Sequence, residues 1–341
     1  MNKYFLFRIH LFCLLISMLH SAQSKTPDVS PDPVSPTPQL IAQDVWLMPG
    51  FFQFDRSPDG NSVIFRTDNG LVVMDTGRHF WHRQSILQFA ALQNLPIIAV
   101  VNSHWHLDHV SGNPMIKSTY PDVKVYASNA IDQALTGFLQ NGVIRLREAL
   151  KTPNLSNEAK EDIETDLETS QQGELLRPDV IVKESGSVSI GSKKMDLNFA
   201  PDGPTQGDVW IYDAGTKIAA VGDLVTLPVP FLDTACVAGW KTALEKVWAT
   251  PFEILVPGHG KLMSRNDFNR YRVAFNNYVD CANSSKDSSI CSAGWLRELR
   301  GLIDDNALDP KQTGEWARAY IDQVLRPNGG NSQYCKVGIH P

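Results

Sequence analysis

Four side chains able to ligate a cation fall within six positions in the run His104-Trp105-His106-Leu107-Asp108-His109. Ahead of it stands Ile97-Ile98-Ala99-Val100-Val101, an apolar, β-branched run that reads as a buried strand. At that strand's carboxyl end a spacing of two places the imidazoles of His104 and His106 on one side of extended backbone. Asp108 and His109 follow where the chain must turn, and Gly112-Asn113 keeps the turn short. Imidazole nitrogen with carboxylate oxygen suits a borderline cation such as zinc. Two later segments also set a ligand past a buried strand. Ile218-Ala219-Ala220-Val221-Gly222 leads into Asp223, and Ile254-Leu255-Val256-Pro257 leads into His259, flanked by Gly258 and Gly260.

The elements that must position these groups alternate. Strands are expected at 62–65 and 71–74, joined by Thr67-Asp68-Asn69-Gly70, a strong hairpin signal, with Asp75-Thr76-Gly77 closing the second. A helix over 82–94, a strand over 123–127 and a helix over 129–139 follow. From 143 to 172 the chain is charged and helix-favouring, broken at Pro153-Asn154, which predicts a helical insertion spanning about 137–175. Its acidic stretch, 158–168, reads as a solvated helix face. Strand signals return at 180–183, 188–190, 195–199, 209–212, 218–221 and 254–256, and helices are expected over 266–280, 293–303 and 312–325. Two strand-rich blocks separated by helices predict two sheets packed face to face with helices outside.

The 341 residues are 43% apolar and 20% charged, enough for a sizeable core. A net charge of -6 with no lysine- or arginine-rich block removes the electrostatic case for nucleic acid. Residues 1–24 read as a secretory signal: Lys3 and Arg8, an apolar stretch over 11–19, and Ala22-Gln23-Ser24 as a cleavage site. The apolar stretch is short for a bilayer span, no later segment is long enough, and no cysteine follows at a lipoprotein cleavage position, so a periplasmic or secreted protein without a lipid anchor is expected, an uncleaved signal anchor being the alternative. Residues 25–39, with Pro27, Pro31, Pro33, Pro36 and Pro38, read as a stiff tether. The folded domain then spans 40–265, with a helical extension over 266–341. Cys236, Cys281, Cys291 and Cys335 suggest two disulfides in an oxidising compartment. A Cys281–Cys291 bridge is the easiest of the pairings because it closes a short polar loop, whereas Cys236 is open between a bridge, a buried thiol and a place near the metal cleft. The sequence does not address the oligomeric state.

Taken in order, Asp75-Thr76-Gly77, the His104–His109 run, Gly222-Asp223 and Gly258-His259 resemble the metallo-β-lactamase superfamily over residues 40–265. The resemblance implies an α+β fold, a four-layer αββα sandwich, carrying here a helical insertion and a helical C-terminal extension. It implies that His104 and His106 hold a first zinc, Asp108, His109 and His259 a second, with Asp223 bridging, and that Asp75 supports the metal loop without binding metal. One position departs from the family. Where a third histidine for the first zinc is expected, the stretch Ala200-Pro201-Asp202-Gly203-Pro204-Thr205-Gln206-Gly207-Asp208 carries Pro204, which has no donor atom. Asp202 either bends inward as a substitute ligand or belongs to a surface turn.

The implied chemistry is hydrolysis, by metal-bound hydroxide, of an ester, thioester, lactone or amide-like bond, a β-lactam among them, in a small-molecule substrate, which is the expected partner. Asp108 or Asp223 would orient the water and take its proton. One zinc is expected to be held firmly and a second more weakly, with iron or manganese as alternatives. No Gly-x-Ser-x-Gly elbow offers a serine nucleophile instead. Trp105 is expected beneath the metal loop, while Phe231, Trp240 and Pro228-Val229-Pro230 either wall the cleft or pack in the core. Two other readings share the scaffold: a non-catalytic metal- or ligand-binding protein, which Pro204 would suit, and a periplasmic metallohydrolase accessory to a quinoprotein oxidation system.

Overall fold

The computed structural model describes residues 35–53, 56–303 and 309–336; the leader expected at 1–24 and most of the tether expected at 25–39 lie outside them. Strands β1 (Gln39–Ala42), β2 (Val45–Met48), β3 (Ser62–Thr67), β4 (Gly70–Met74), β5 (Ile97–Val101), β6 (Lys124–Ala127) and β7 (Val180–Ile181) lie side by side in chain order. A second sheet has the order β12-β11-β10-β9-β8, from β8 (Gly186–Ile190), β9 (Lys193–Ala200), β10 (Asp208–Asp213), β11 (Ile218–Ala220) and β12 (Ile254–Val256).

Period-two alternation sorts the side chains into layers. Val63, Phe65, Val72 and Met74 of the first sheet meet Val209, Ile211, Ile218 and Ala220 of the second. Their neighbours Ile64, Leu71 and Val73 face outward onto helix α1 (Phe80–Gln93), through Ile86 and Phe89. Outward-facing Trp210, Tyr212 and Ala219 of the second sheet pack against the helices that follow it. This is the αββα sandwich, and central strands such as β4, β5 and β11 are apolar on both faces because helices cover the outer ones.

Helices α2 (Leu107–Val110) and α3 (Asn113–Thr119) connect β5 to β6, and α4 (Ala130–Thr136), α5 (Phe138–Ala149), α6 (Asn157–Gln171) and α7 (Gly173–Leu176) connect β6 to β7; α8 (Val237–Ala249) precedes β12. The C-terminal helices are α9 (Arg265–Ala282), α10 (Ser288–Glu298) and α11 (Pro310–Tyr320), each opened by a capping side chain at Ser264, Asp287 or Asp309. Those caps start α10 and α11 earlier than the apolar period suggests. No described helix is long and apolar enough to cross a membrane.

Three expectations need correction. A hairpin of β1 and β2 opens the first sheet, where no strand was expected before residue 62. The single helix expected over 129–139 is two, because the chain turns at Gly137 before α5 begins. The acidic stretch is solvated on one side only. Glu161, Glu164 and Glu168 are exposed, but Asp162 and Asp166, one turn apart on the opposite face, turn inward toward Arg56, Arg78 and His79.

The cysteines pair as Cys236–Cys335 and Cys281–Cys291. The first bridge fastens the C-terminal segment against the 233–237 loop, where Ser332 N–H donates to Ala235 O (3.0 Å) and Lys336 N–H to Gln206 Oε1 (2.9 Å).

Candidate metal centre

Asp75 leaves β4 and residues 102–109 leave β5 at the carboxyl ends of two adjacent parallel strands. Asp223 follows β11 and His259 follows β12, a second parallel pair. The two sheets thus deliver their ligand-bearing loops to one edge. There His104, His106 and Asp223 present donor atoms within 4.8 Å of one another, and so do Asp108, His109 and His259. Asp223 spans the two groups: Oδ2 is 3.6 Å from His104 Nε2, while Oδ1 is 3.2 Å from His109 Nε2 and 3.5 Å from His259 Nε2. Asp108 Oδ2 lies 2.9 Å from His259 Nε2 and 3.6 Å from His109 Nε2.

The inward atoms test whether a cation fits. His104 Nε2, His109 Nε2, His259 Nε2 and both oxygens of Asp223 are buried without a hydrogen-bond partner. Each such atom costs about 1–3 kcal/mol, more when charged, unless something else satisfies it. Their convergence, with imidazole and carboxylate donors only, fits one or two divalent ions. The backbone leaves room for the close approach: a Cβ at Gly258 would stand 2.0 Å from Asp223 Oδ1, and one at Gly60 would stand 2.4 Å from the His109 ring.

The outward nitrogens of His104, His106 and His109 are engaged, and their partners set the tautomers. Asp75, buried with φ 60°, accepts from His109 Nδ1–H (2.8 Å), from Ser103 N–H (2.7 Å) and from Ser103 Oγ–H (2.7 Å). Because the Ser103 hydroxyl donates to Asp75, its oxygen accepts from His104 Nδ1–H at 2.9 Å, leaving Nε2 to face the centre. His106 is held from the other side: Nε2–H donates to Thr234 Oγ1 (2.9 Å), whose hydroxyl donates to the carbonyl of Pro204 (2.8 Å). That carbonyl can only accept, so the direction of the chain is settled and His106 turns Nδ1 inward.

Charge differs between the groups. Burial, with the cationic forms of His109 and His106 nearby, holds His104 well below its ordinary value, and burial brings His106 down to about 4. For His109 burial acts in the same direction, yet the carboxylates of Asp223, Asp108 and Asp75 outweigh it and hold the ring well above the ordinary range. Burial opposes ionisation of Asp108 and Asp223, but His109 and His259 outweigh it and hold both below the usual carboxylate range. The second group is therefore a compact set of opposite charges, where a divalent ion would displace protons.

The centre opens on a cavity of about 180 Å³ reached by His106 and Asp108. Phe231 lines it and meets the His259 ring edge-to-face at 5.3 Å, whereas Trp240 is fully buried behind the Asp223 loop, its Nε1–H on Leu224 O (3.0 Å). Trp105 packs with Leu107, Val110 and Leu139 beneath the metal loop and also borders the cavity. Asp202 joins neither ligand group: its carboxylate accepts from Gln206 Nε2 at 3.3 Å, within the turn that the C-terminal segment covers. Cys236 is in its disulfide.

Sequence reasoning missed Ser103, Thr234 and Arg78. Arg78 directly follows Asp75-Thr76-Gly77 and sets its guanidinium 3.7 Å from Asp108 Oδ1, with its other arm on Asp166. Ser103 stood beside the His104 run, but Thr234 belongs to no local pattern.

Comparison with known proteins agrees with this geometry. Residues 58–259 match the metallo-beta-lactamase superfamily. A linear primary-alkylsulfatase from Pseudomonas sp. is 26% identical over 223 residues, which are 59% of this chain and 41% of that protein. A hydroxyacylglutathione hydrolase from Crocosphaera subtropica is 24% identical over 223 residues, 64% of this chain and 67% of that protein. The chain thus spans well under half of the alkylsulfatase. Among solved structures, a metallo-beta-lactamase from Pontibacter korlensis superposes with a TM-score of 0.51 at 19% identity, covering 71% of this chain and 99% of that one, a likeness of fold. With the matched segment spanning both ligand groups and most of the two sheets, the chain belongs to the metallo-beta-lactamase superfamily, whose members are metal-dependent hydrolases.

Proposed function

We propose that the protein is an exported, zinc-dependent hydrolase of a small ester, thioester, lactone or amide-like substrate, β-lactams included. The observation that carries this reading is the pair of ligand groups sharing Asp223, with their unpartnered atoms turned toward one another beside a cavity. A bound zinc ion supplies Lewis acidity, polarising a carbonyl and lowering the pKa of water to about 7. Asp108 lies between the Arg78 guanidinium, 3.7 Å from Oδ1, and the imidazoles of His109 and His259, so it is placed to orient a water and to receive its proton. Phe231 and the other rings of the cavity hold an apolar substrate body and exclude bulk water. The group of Asp108, His109 and His259 is the firmer site, because Pro204 contributes only its backbone carbonyl to the surroundings of the other. Two disulfides support maturation in an oxidising compartment, which recovery of the mature chain from a periplasmic fraction would test.

The reaction is tested on protein stripped with chelator and reloaded with zinc, iron or manganese, assayed on nitrocefin, a thioester and a lactone. The names of the relatives add an alkyl sulfate and hydroxyacylglutathione. Metal-dependent turnover of at least one is expected. Stoichiometric metal with no turnover of any would favour a binding protein on the same scaffold.

A further inference from the structure

The cavity beside the metal centre is lined by three guanidinium groups, and two are committed to carboxylates. Arg56 holds Asp162 (2.6 Å) and Glu161 (3.1 Å), and Arg78 holds Asp166 and faces Asp108. Arg145, on α5, is different. Among the described residues no carboxylate comes within 4.0 Å of it, and its guanidinium lies over the Phe138 ring, 5.4 Å from the centroid. It is half-buried at the cavity wall, where water satisfies a cation less well than at an open surface. Gly142, nearly one turn earlier, does not crowd the group: even a Cβ there would make only ordinary contact with the guanidinium, at 3.8 Å.

Its position relative to the ligands is set by rings. Phe138 stacks beneath Arg145 and lies 6.3 Å from the His106 ring and 5.4 Å from Trp105. Among the other lining residues, Asp233 accepts from the hydroxyl of Tyr320 at 2.7 Å, and a carboxylate repels a second anion beside it. The space is about 180 Å³, slightly above the roughly 150 Å³ apolar cavity that admits benzene.

We infer that Arg145 is the anchor for a carboxylate on the substrate, an amphipathic molecule about the size of one substituted ring. Its apolar body lies among Phe52, Phe138, Phe231 and Trp316, and its hydrolysable bond lies at the His106–Asp108 end. Arginine suits this because its planar fork pairs with both oxygens of a carboxylate. The assignment rests on the hydrolase reading for the scissile end, but not for the anion site itself.

Binding of 4-phenylbutyrate and of its neutral isostere 4-phenylbutyramide is measured by calorimetry on the metal-loaded full chain, beside R145Q and R145K. The wild type is expected to prefer the carboxylate by about tenfold or more. R145Q abolishes that preference and leaves amide binding within about twofold; R145K restores part of it. Unchanged melting temperatures show that the variants fold. In parallel, R145Q lowers kcat/KM for mono-(4-nitrophenyl) glutarate and not for 4-nitrophenyl pentanoate. A wild type without carboxylate preference overturns the assignment. So does a preference that survives in R145Q, which would place the carboxylate on the metal. If the binding difference appears while neither these esters nor any of the substrates assayed for the proposed function is cleaved, the anion site stands and the hydrolase reading fails.

Discussion

His106 reaches its partner through a hydroxyl that ends on a carbonyl, and the carbonyl belongs to the residue that lacks a ligand. Pro204 therefore serves the first group through its backbone. Thr234→Val would remove the acceptor for His106 Nε2–H and free the ring to change tautomer. Metal affinity of the His104–His106–Asp223 group is expected to fall about 10- to 100-fold, the usual cost of losing such a partner. Thr234→Ser should retain most of it. Zinc titration against a competing chelator resolves the weaker site from the firmer one, and equal affinities in wild type and valine variant would show that Thr234 is a bystander. Pro204→His keeps the carbonyl and adds an imidazole. Binding of a second zinc should tighten by about tenfold in the same assay; unchanged stoichiometry and affinity would show that the loop aims position 204 away. The six candidate ligands that the structure brings together were legible because they stand in short polar stretches just past apolar strands, as with Asp223 after Ile218-Ala219-Ala220-Val221-Gly222. Thr234 and Arg145 were not. Their roles rest on contacts with residues far along the chain or on the lack of a counter-charge, and neither leaves a mark in local spacing.

Helix α6 shows the same limit one level up. Its charges predict a helix and its period predicts two faces, but only the approach of Arg56, Arg78 and His79 decides that the acidic residues at 162 and 166 are inside. Asp162 accepts from Arg56, from Ser57 N–H (2.7 Å) and from His79 Nε2–H (2.9 Å), while His79 Nδ1–H donates to Asp59 (2.6 Å). Burial disfavours the charged form of each, yet the mutual contacts win: Asp59 and Asp162 sit below the ordinary 3.8 and His79 above the ordinary 6.5. A carboxyl held low stabilises above its unfolded value and loses that contribution as pH falls through the folded one. An imidazole held high stabilises below its unfolded value and loses that contribution as pH rises through the folded one. The cluster's contribution is thus complete between 3.8 and 6.5. Asp162→Asn should cost about 3 kcal/mol there, because it strands buried cations. The gap in melting temperature from wild type should narrow on both sides of that window; a gap independent of pH would remove the electrostatic account. The β1–β2 hairpin went unread for another reason: four-residue strands are too short for a period to declare itself.

Across the whole molecule, the layer order followed from strands that are apolar on both faces, which demands cover on each side. What no pattern revealed is where the chain's end goes, since the Cys236–Cys335 bridge and the Gln206 contacts join segments about a hundred residues apart or more. Stripping metal ions tests the assembly at this scale. At a hundredfold excess over its dissociation constant, a ligand adds about 2.7 kcal/mol to stability. Chelation is therefore expected to lower the melting temperature by several degrees. Amide exchange should rise first at 102–109, 222–226 and 257–260; exchange unchanged in those loops would show that the ions do not brace them. The expectation has a geometric root: each ligand group takes two residues or one from each sheet, as His104 and His106 with Asp223, or Asp108 and His109 with His259. Neither half of the sandwich owns a complete set. An ion here acts as a rivet through a seam, unable to seat until both plates are aligned and hard to draw out without prising them apart.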